Sequence, residues 1–184
     1  MERLYLEDPR NENKNKVIDL VNEYNNAQKH MTGARKIQDF FREKNYEGWL
    51  AAVSNASEGL GVKNPSKLYF VKGESDDRII GTLTLKYVGD DIGGNVEYSI
   101  RPTEEKKGYE KEIIRLALEE LKRFGFNEVR IDEIIGKTRS NNAIKAAGGK
   151  IVSQDHVLRR YSIDLDNASD RVNAEVEDVQ TKVK

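Results

Sequence analysis

The apolar positions of the first sixty residues follow a helical period. Four of them recur at i, i+3, i+4 and i+7, which is the spacing of one helix face and predicts a helix over residues 14–30. These four are Val17, Leu20, Val21 and Tyr24. Two shorter helices are predicted around residues 37–41 and 49–55, after a short strand at residues 4–6.

From residue 66 onwards, alternation of apolar and polar positions indicates strands. They are expected at residues 68–71, 79–87 and 95–101, with a hairpin turn at "VGDDIGG". A strongly periodic helix then ends at Gly125, where glycine is a common stop signal. The remaining elements are a strand at 127–131, a helix at 140–147 and an antiparallel pair at 150–153 and 157–165.

This order of elements predicts one α/β (mixed α+β) domain over residues 1–165, with a sheet covered by helices. Residues 166–184 carry a weak valine repeat in a polar background, and we predict a flexible tail there. The chain of 184 residues is long enough for a single domain to bury a substantial core.

Composition narrows the classes of function. The 31 basic and 32 acidic residues almost cancel, which disfavours a general affinity for nucleic acid or an anionic membrane. The chain has no cysteine and two histidines, so thiolate chemistry is excluded and a histidine-based metal centre is disfavoured. It has no membrane-length apolar run and no signal-like start, and we predict a cytoplasmic protein.

The segment "YSIRPTEEKKGYE" joins a strand to the most periodic helix of the chain. The first N–H groups of a helix lack internal partners, and a glycine-containing loop lets an anion approach the backbone. Lys106, Lys107 and Lys111 add positive charge around Gly108. The loop therefore indicates a phosphate site, although a solvated strand-to-helix turn without a ligand can have the same composition.

Several segments, in order, resemble GNAT-superfamily N-acetyltransferases, and in particular a group of bacterial predicted acetyltransferases. They are "EYSIRPTEEKKGYE", "RIIGTLTLKY", "IRLALEELKRFGFNEVRI" and "SNNAIKAAGGKIV", and the similarity covers residues 35–165. The resemblance implies a central mixed, mostly antiparallel sheet flanked by helices. It also implies that acetyl-CoA, the co-substrate, lies where the fourth and fifth strands splay apart.

The resemblance assigns the co-substrate contacts to one strand and the loop after it. The diphosphate would lie on residues 105–110 and the pantetheine arm beside the fourth strand. The residues implied are Ser99, Ile100, Arg101, Lys106, Lys107, Gly108, Tyr109 and Lys111. No metal is implied.

The chain also departs from the family pattern at this site. Glu105 and Glu110 occupy the two ends of the loop, where arginine or glutamine and then glycine or alanine are usual. A carboxylate beside a diphosphate costs on the order of 1 kcal/mol when solvated. Lys137 aligns with the asparagine that touches the pantetheine arm, and Ile144 with a tyrosine acid.

For catalysis, the resemblance makes Glu97 the candidate general base, because related enzymes carry a carboxylate on this strand. The alternative is a surface glutamate paired with Arg101 or Lys86. Tyr161 is the candidate acid, with a packing role as its alternative. Main-chain N–H groups near Ile100 could polarise the thioester carbonyl.

We therefore predict an acetyltransferase that moves an acetyl group from acetyl-CoA to a primary amine of a small molecule or peptide. The alternative is a catalytically degenerate GNAT-fold binding or regulatory module, suggested by the substitutions at the loop. No nucleic-acid or membrane partner is expected, and a homodimer is among the possible states. The sequence does not specify the acceptor.

Overall fold

Two antiparallel sheets form the centre of the computed structural model, which describes residues 3–75, 77–87 and 94–166. The first sheet has the strand order β1-β2-β3-β4 and the second has the order β5-β7-β6. The strands are β1 (Leu4–Glu7), β2 (Ser66–Gly73), β3 (Ile79–Lys86), β4 (Val96–Ile100), β5 (Glu128–Ile134), β6 (Lys150–Gln154) and β7 (Leu158–Asp164).

Within the described residues, five α-helices cover these sheets, and the sequence pattern anticipates each of them. They are α1 (Lys14–Asn26), α2 (Ile37–Arg42), α3 (Tyr46–Ser57), α4 (Glu110–Arg123) and α5 (Thr138–Ala146). Short 3₁₀ turns precede α1 and follow β4. The mixed α/β class with antiparallel sheets flanked by helices is therefore confirmed.

Strand β2 shows how the core is divided, because its successive side chains point to opposite faces of the sheet. Leu68 and Phe70 pack with α1, α2 and α3. Tyr69 and Val71 pack with α4, α5 and the second sheet. Trp49 is fully buried and stacks on Phe70 at 6.1 Å between ring centroids, so it anchors the helical layer to the sheet.

Among the described residues, main-chain hydrogen bonds join the two sheets at one end, where the start of β4 meets β5. Asn95 donates its main-chain N–H to the Arg130 carbonyl at 2.6 Å and accepts the Arg130 N–H on its side chain at 2.8 Å. Next to it, Gly94 pairs with Ile131 as an isolated bridge, and a Cβ on Gly94 would stand 2.7 Å from the Arg130 oxygen. Beyond this contact β4 and β5 are not paired, so a gap opens between them.

The predicted bounds of the first helix are wrong at the C-terminal end. Helix α1 stops at Asn26 rather than near residue 30, because Gln28 takes a left-handed conformation (φ +53°) and Lys29 N–H bonds back to the Tyr24 carbonyl at 2.9 Å. Residues 27–36 instead form a long loop. The predicted "VGDDIGG" turn, at 88–94, lies outside the described residues except for Gly94, and the predicted tail, at 166–184, except for Asp166.

Within the ranges that the structure describes, no helix is both long and apolar enough to cross a membrane. Nor do the histidine, aspartate and glutamate side chains of those ranges form a group of three or more that could hold a metal ion. The prediction of a single domain over residues 1–165 stays a prediction.

Candidate acetyl-CoA site

A cleft of about 840 Å³ occupies the gap between β4 and β5. The α1–α2 loop closes one side of it, and the N-terminal ends of α4 and α5 face it from the other. Among the predicted site residues, the lining includes Glu97, Ser99, Ile100 and Lys106.

The main chain of β4 supplies hydrogen-bonding groups to this cleft. Lys86 N–H bonds to the Asn95 carbonyl at 2.8 Å and Arg101 N–H to the Ile80 carbonyl at 2.7 Å, so odd-numbered residues of β4 bond to β3. In an antiparallel ladder, the main-chain N–H and C=O groups of the intervening residues point away from the partner strand. The N–H groups of Tyr98 and Ile100 are therefore directed at the cleft.

The loop before α4 has the backbone geometry of an anion site. Gly108 has φ +88° and Lys106 has φ +68°, so the chain turns tightly before the helix begins at Glu110. The first helical hydrogen bond runs from the Ile113 N–H to the Tyr109 carbonyl, which leaves the N–H groups before it without a helical partner. Glu105, Lys106 and Glu110 line this end of the cleft, whereas the predicted residue Gly108 is not in its lining.

Other predicted loop residues do not line the cleft. Lys107 bonds to Glu104 at 2.8 Å, and this hydrogen bond raises the pKa of the Lys107 ammonium. Tyr109 is packed into the core and the Lys111 side chain is exposed. Of the three lysines that suggested a phosphate site, Lys106 alone lines the cleft.

Arg101 has a structural position rather than a place in the cleft. Its guanidinium is buried and bonds to Glu23 at 2.6 Å and to the Ile79 carbonyl at 3.1 Å. Burial raises the pKa of Glu23, but hydrogen bonds from Arg101 and Thr103 outweigh it and lower this pKa to about 2. The pair fixes α1 to the end of β4, just before the diphosphate loop.

We expect the Glu23–Arg101 pair to make part of the free energy of unfolding sensitive to acid. Because the pKa of Glu23 is lowered on folding, its contribution is complete above the ordinary value of 4.5 and is lost as pH falls towards about 2. We expect the stability difference between the wild type and Glu23→Gln to shrink by about 2 kcal/mol from pH 5 to pH 3. Urea unfolding at both pH values measures it.

The matched control for this prediction is Glu43→Gln, which replaces an exposed glutamate at the end of α2. Its stability difference from the wild type should not change over the same pH range. A Glu23→Gln difference that is equally independent of pH would contradict the assigned pKa.

The two acidic loop residues both line the cleft, and one of them is neutralised. Lys29, from the α1–α2 loop, bonds to both Glu105 oxygens at 2.7 and 2.6 Å. Glu110 is the first residue of α4, where the helix dipole favours a negative charge. Lys29 carries no sequence signal for this role, because it lies 76 positions from its partner, in a segment predicted as helix.

The ion pair between Lys29 and Glu105 predicts opposite changes in acetyl-CoA affinity when either member is replaced. Replacing Glu105 with Gln removes a carboxylate beside the predicted diphosphate site, so the Kd for acetyl-CoA should fall about fivefold. Lys29→Gln should raise the Kd about fivefold, and both effects should shrink in 1 M salt. Calorimetric titration measures each value, with Lys145→Gln, an exposed lysine outside the cleft, as the control. Weaker binding by Glu105→Gln would show that this carboxylate supports the ligand instead of opposing it.

Glu97 lies where the cleft meets a second cavity of about 650 Å³. Its carboxylate forms an ion pair with Lys86, which was one of the expected alternatives, yet it still lines both cavities. Gly33 packs directly against it, since a Cβ on Gly33 would stand 2.7 Å from the Glu97 Cβ. His30 also lines both cavities and was not singled out by the sequence pattern.

The structure does not bring Tyr161 to the cleft. Its side chain is fully buried and its hydroxyl donates to the Asn141 side chain at 2.7 Å. Ile144, where relatives carry a tyrosine, is also buried in the core. The packing role that was the alternative for Tyr161 fits these contacts.

Tyr24 and Tyr98 both line the cleft, and the Tyr98 hydroxyl bonds to Ser140, which lines it too. Ser140 donates to the buried Glu133, so the Tyr98 hydroxyl is the donor in its own bond to Ser140. Burial raises the pKa of Tyr98, which keeps the hydroxyl protonated at neutral pH. No local sequence signal distinguishes Tyr98, because the hydrogen-bond network of its hydroxyl involves α5 and β5, far along the chain.

Comparison with known proteins decides the family. The family model described as "Acetyltransferase (GNAT) domain" matches residues 3–148. The chain belongs to the GNAT acetyltransferase family. The activity of this GNAT protein is accordingly acetyl transfer from acetyl-CoA to an amine. No protein of curated function matches its sequence.

Solved structures share the fold at low identity. RimJ of Mycobacterium smegmatis, in complex with CoA-disulfide, is 8% identical with a TM-score of 0.70, over 94% of this chain and 88% of that one. The spermidine/spermine N-acetyltransferase SpeG of Vibrio cholerae is 14% identical with a TM-score of 0.62, over 92% and 98%. The microcin C7 self-immunity acetyltransferase MccE, in complex with acetyl-CoA and AMP, is 14% identical with a TM-score of 0.63, over 89% and 93%.

Proposed function

We propose that this GNAT protein is a working acetyltransferase in which the β4–β5 cleft holds acetyl-CoA and Glu97 acts as the general base. The observation that carries the proposal is the position of Glu97 at the junction of the two cavities. One cavity offers the amides and cation that suit a diphosphate-bearing thioester. The other is open for the acceptor.

In the proposed reaction, the amine nitrogen attacks the thioester carbonyl carbon, and the C–S bond breaks to release CoA thiolate. Glu97, directly or through one water, takes the proton that the amine loses. The N–H groups of Tyr98 and Ile100 stabilise the negative charge that develops on the carbonyl oxygen. The products are an N-acetyl amide and CoA.

The Tyr98 hydroxyl is the proposed hydrogen-bond donor to the departing thiolate, in place of Tyr161, the candidate acid from the sequence analysis. Tyr98 lines the cleft, and its raised pKa suits a donor that stays protonated. Its bond to Ser140, in turn held by Glu133, fixes its orientation. As negative charge develops on sulfur, the hydroxyl would exchange its hydrogen bond to Ser140 for one to sulfur.

The remaining parts of the sequence interpretation stay predictions. The acceptor is proposed to be a primary amine of a small molecule or peptide. Similar solved structures include SpeG, named as a spermidine/spermine N-acetyltransferase, and RimL, named as a ribosomal L7/L12 alpha-N-protein acetyltransferase, so these names do not point to one acceptor class. Cytoplasmic location and a homodimer are likewise predictions.

The experiment that tests the proposed function is a turnover assay against a panel of amines. The wild-type protein with acetyl-CoA should release free CoA thiol only when an acceptor amine is present, and mass spectrometry should find the N-acetylated product. Saturable acetyl-CoA binding with no product from any amine would favour the alternative, a degenerate binding module. A protein that does not bind acetyl-CoA at millimolar concentration would contradict the proposal entirely.

A further inference from the structure

The second cavity has an unusual charge for a pocket that receives an amine. It is lined by α2, the loop before it, the loop before β2, and the ends of β3 and β4. Its acidic side chains are both matched, since Asp39 pairs with Arg42 at 2.8 Å and Glu97 pairs with Lys86. The remaining cations in the lining are Arg35, Lys36 and Lys63.

These three cations have no carboxylate partner among the described residues. The Arg35 guanidinium donates to the Ser66 hydroxyl at 2.8 Å, while its buried Nε has no hydrogen-bond partner in the described part of the chain. Burial lowers the pKa of Arg35, as expected for a cation that is partly desolvated without a counter-ion. A guanidinium in this state gains strongly from an anionic ligand.

The backbone holds the first two cations in place. Arg35 and Lys36 both have left-handed conformations, with φ +45° and +53°, which non-glycine residues rarely adopt. The residues on either side, Ala34 and Ile37, are buried and joined by a 3.1 Å main-chain hydrogen bond, and Trp49 donates to the Ala34 carbonyl. Strained conformations persist where the surroundings fix them, and they cluster at binding sites.

We propose that the acceptor is an amine that also carries a carboxylate or phosphate group, which Arg35 and Lys63 bind while the amine faces Glu97. This inference rests on the proposed function, because it names the substrate class of the same site. The surplus positive charge repels polyamines and other purely cationic acceptors. A planar guanidinium suits both carboxylate and phosphate, so the shared chemistry is an oxyanion.

Matched acceptor pairs test this inference. We would measure kcat/KM for α-amino acids against their carboxamides, and for aminoalkyl phosphates against the parent amino alcohols, with spermidine as a cationic reference. The anionic member of at least one series should be preferred at least about tenfold. The series with the larger preference identifies carboxylate or phosphate as the anion.

Two variants connect the preference to the pocket. Arg35→Gln and Lys63→Gln should each raise KM for the anionic acceptor, by roughly tenfold for the first and several-fold for the exposed Lys63. Lys63→Gln keeps the test valid if the partly buried Arg35 proves necessary for folding. Lys150→Gln, an exposed lysine on β6 outside both cavities, is the control and should leave all values unchanged.

The outcomes separate this inference from the proposed function. Acetylation of carboxamides, amino alcohols or spermidine in preference to anionic amines would overturn the inference and leave the acetyltransferase function standing. A preference that survives both substitutions would overturn it too. If no amine is acetylated, the proposed function fails, and NMR titration of the same acceptor pairs still decides whether the pocket selects anions.

Discussion

Replacing Glu97 with Gln is expected to lower kcat by roughly 10²–10⁴-fold, the usual contribution of a general base. The amide keeps the size of the side chain and a hydrogen bond to its surroundings, but it cannot accept a proton from the amine. The measurement is steady-state kinetics on the best acceptor of the panel. Acetyl-CoA affinity, measured in parallel, should change by less than about threefold, because the substitution leaves the predicted diphosphate loop, residues 105–110, unchanged.

The pH dependence distinguishes a base from a merely structural carboxylate. An amine with an ordinary pKa of about 10 becomes neutral in solution as pH rises, and a neutral amine no longer needs a base before it attacks. The ratio of wild-type kcat to Glu97→Gln kcat should therefore become smaller at high pH. Glu128→Gln, at the exposed start of β5, is the matched control and should behave as the wild type. A near-normal kcat in Glu97→Gln would show that Glu97 is not the general base and that its role is the ion pair with Lys86.

Replacing Gly108 with Val is expected to raise the Kd for acetyl-CoA by about 100-fold or more. Gly108 has φ +88°, where a β-branched residue is strongly disfavoured, so the loop must either carry strain or move. A moved loop no longer directs its amides at the diphosphate, and each lost bond to a charged acceptor costs about 1.5–3 kcal/mol. Calorimetric titration measures the change.

Gly125 provides a control with the same backbone requirement. It has φ +85° at the end of α4, and no atom of the described residues lies within 4 Å of the position of a Cβ. Gly125→Val should therefore lower thermal stability and leave the affinity for acetyl-CoA unchanged. Equal losses of affinity in both variants would mean that the Gly108 effect is general destabilisation and not a local one.

The sequence predicted the elements well because their signals are local. The helix that became α4 carries a regular apolar stripe, and Gly125 ends it as expected. Strand alternation located β2, β3 and β4 to within a few residues. The error in α1 arose because polar residues 25–30 are compatible with a helix, and a left-handed Gln28 has no clear sequence signal.

The site was less predictable because its partners are distant in sequence. Glu97, Ser99, Ile100 and Lys106 were found from the resemblance, and they line the cleft. The pairing of Lys29 with Glu105 and the bond between Tyr98 and Ser140 join residues 76 and 42 positions apart. No periodicity or motif reports contacts at such distances.

A crystal structure of the protein with bound CoA tests the central claim most directly, which is that the β4–α4 loop binds a diphosphate despite its two carboxylates. We expect the diphosphate to accept hydrogen bonds from the loop amides around Gly108, with Glu105 still held by Lys29. CoA located away from this loop, or a cleft blocked by the Glu105 and Glu110 carboxylates, would contradict the account.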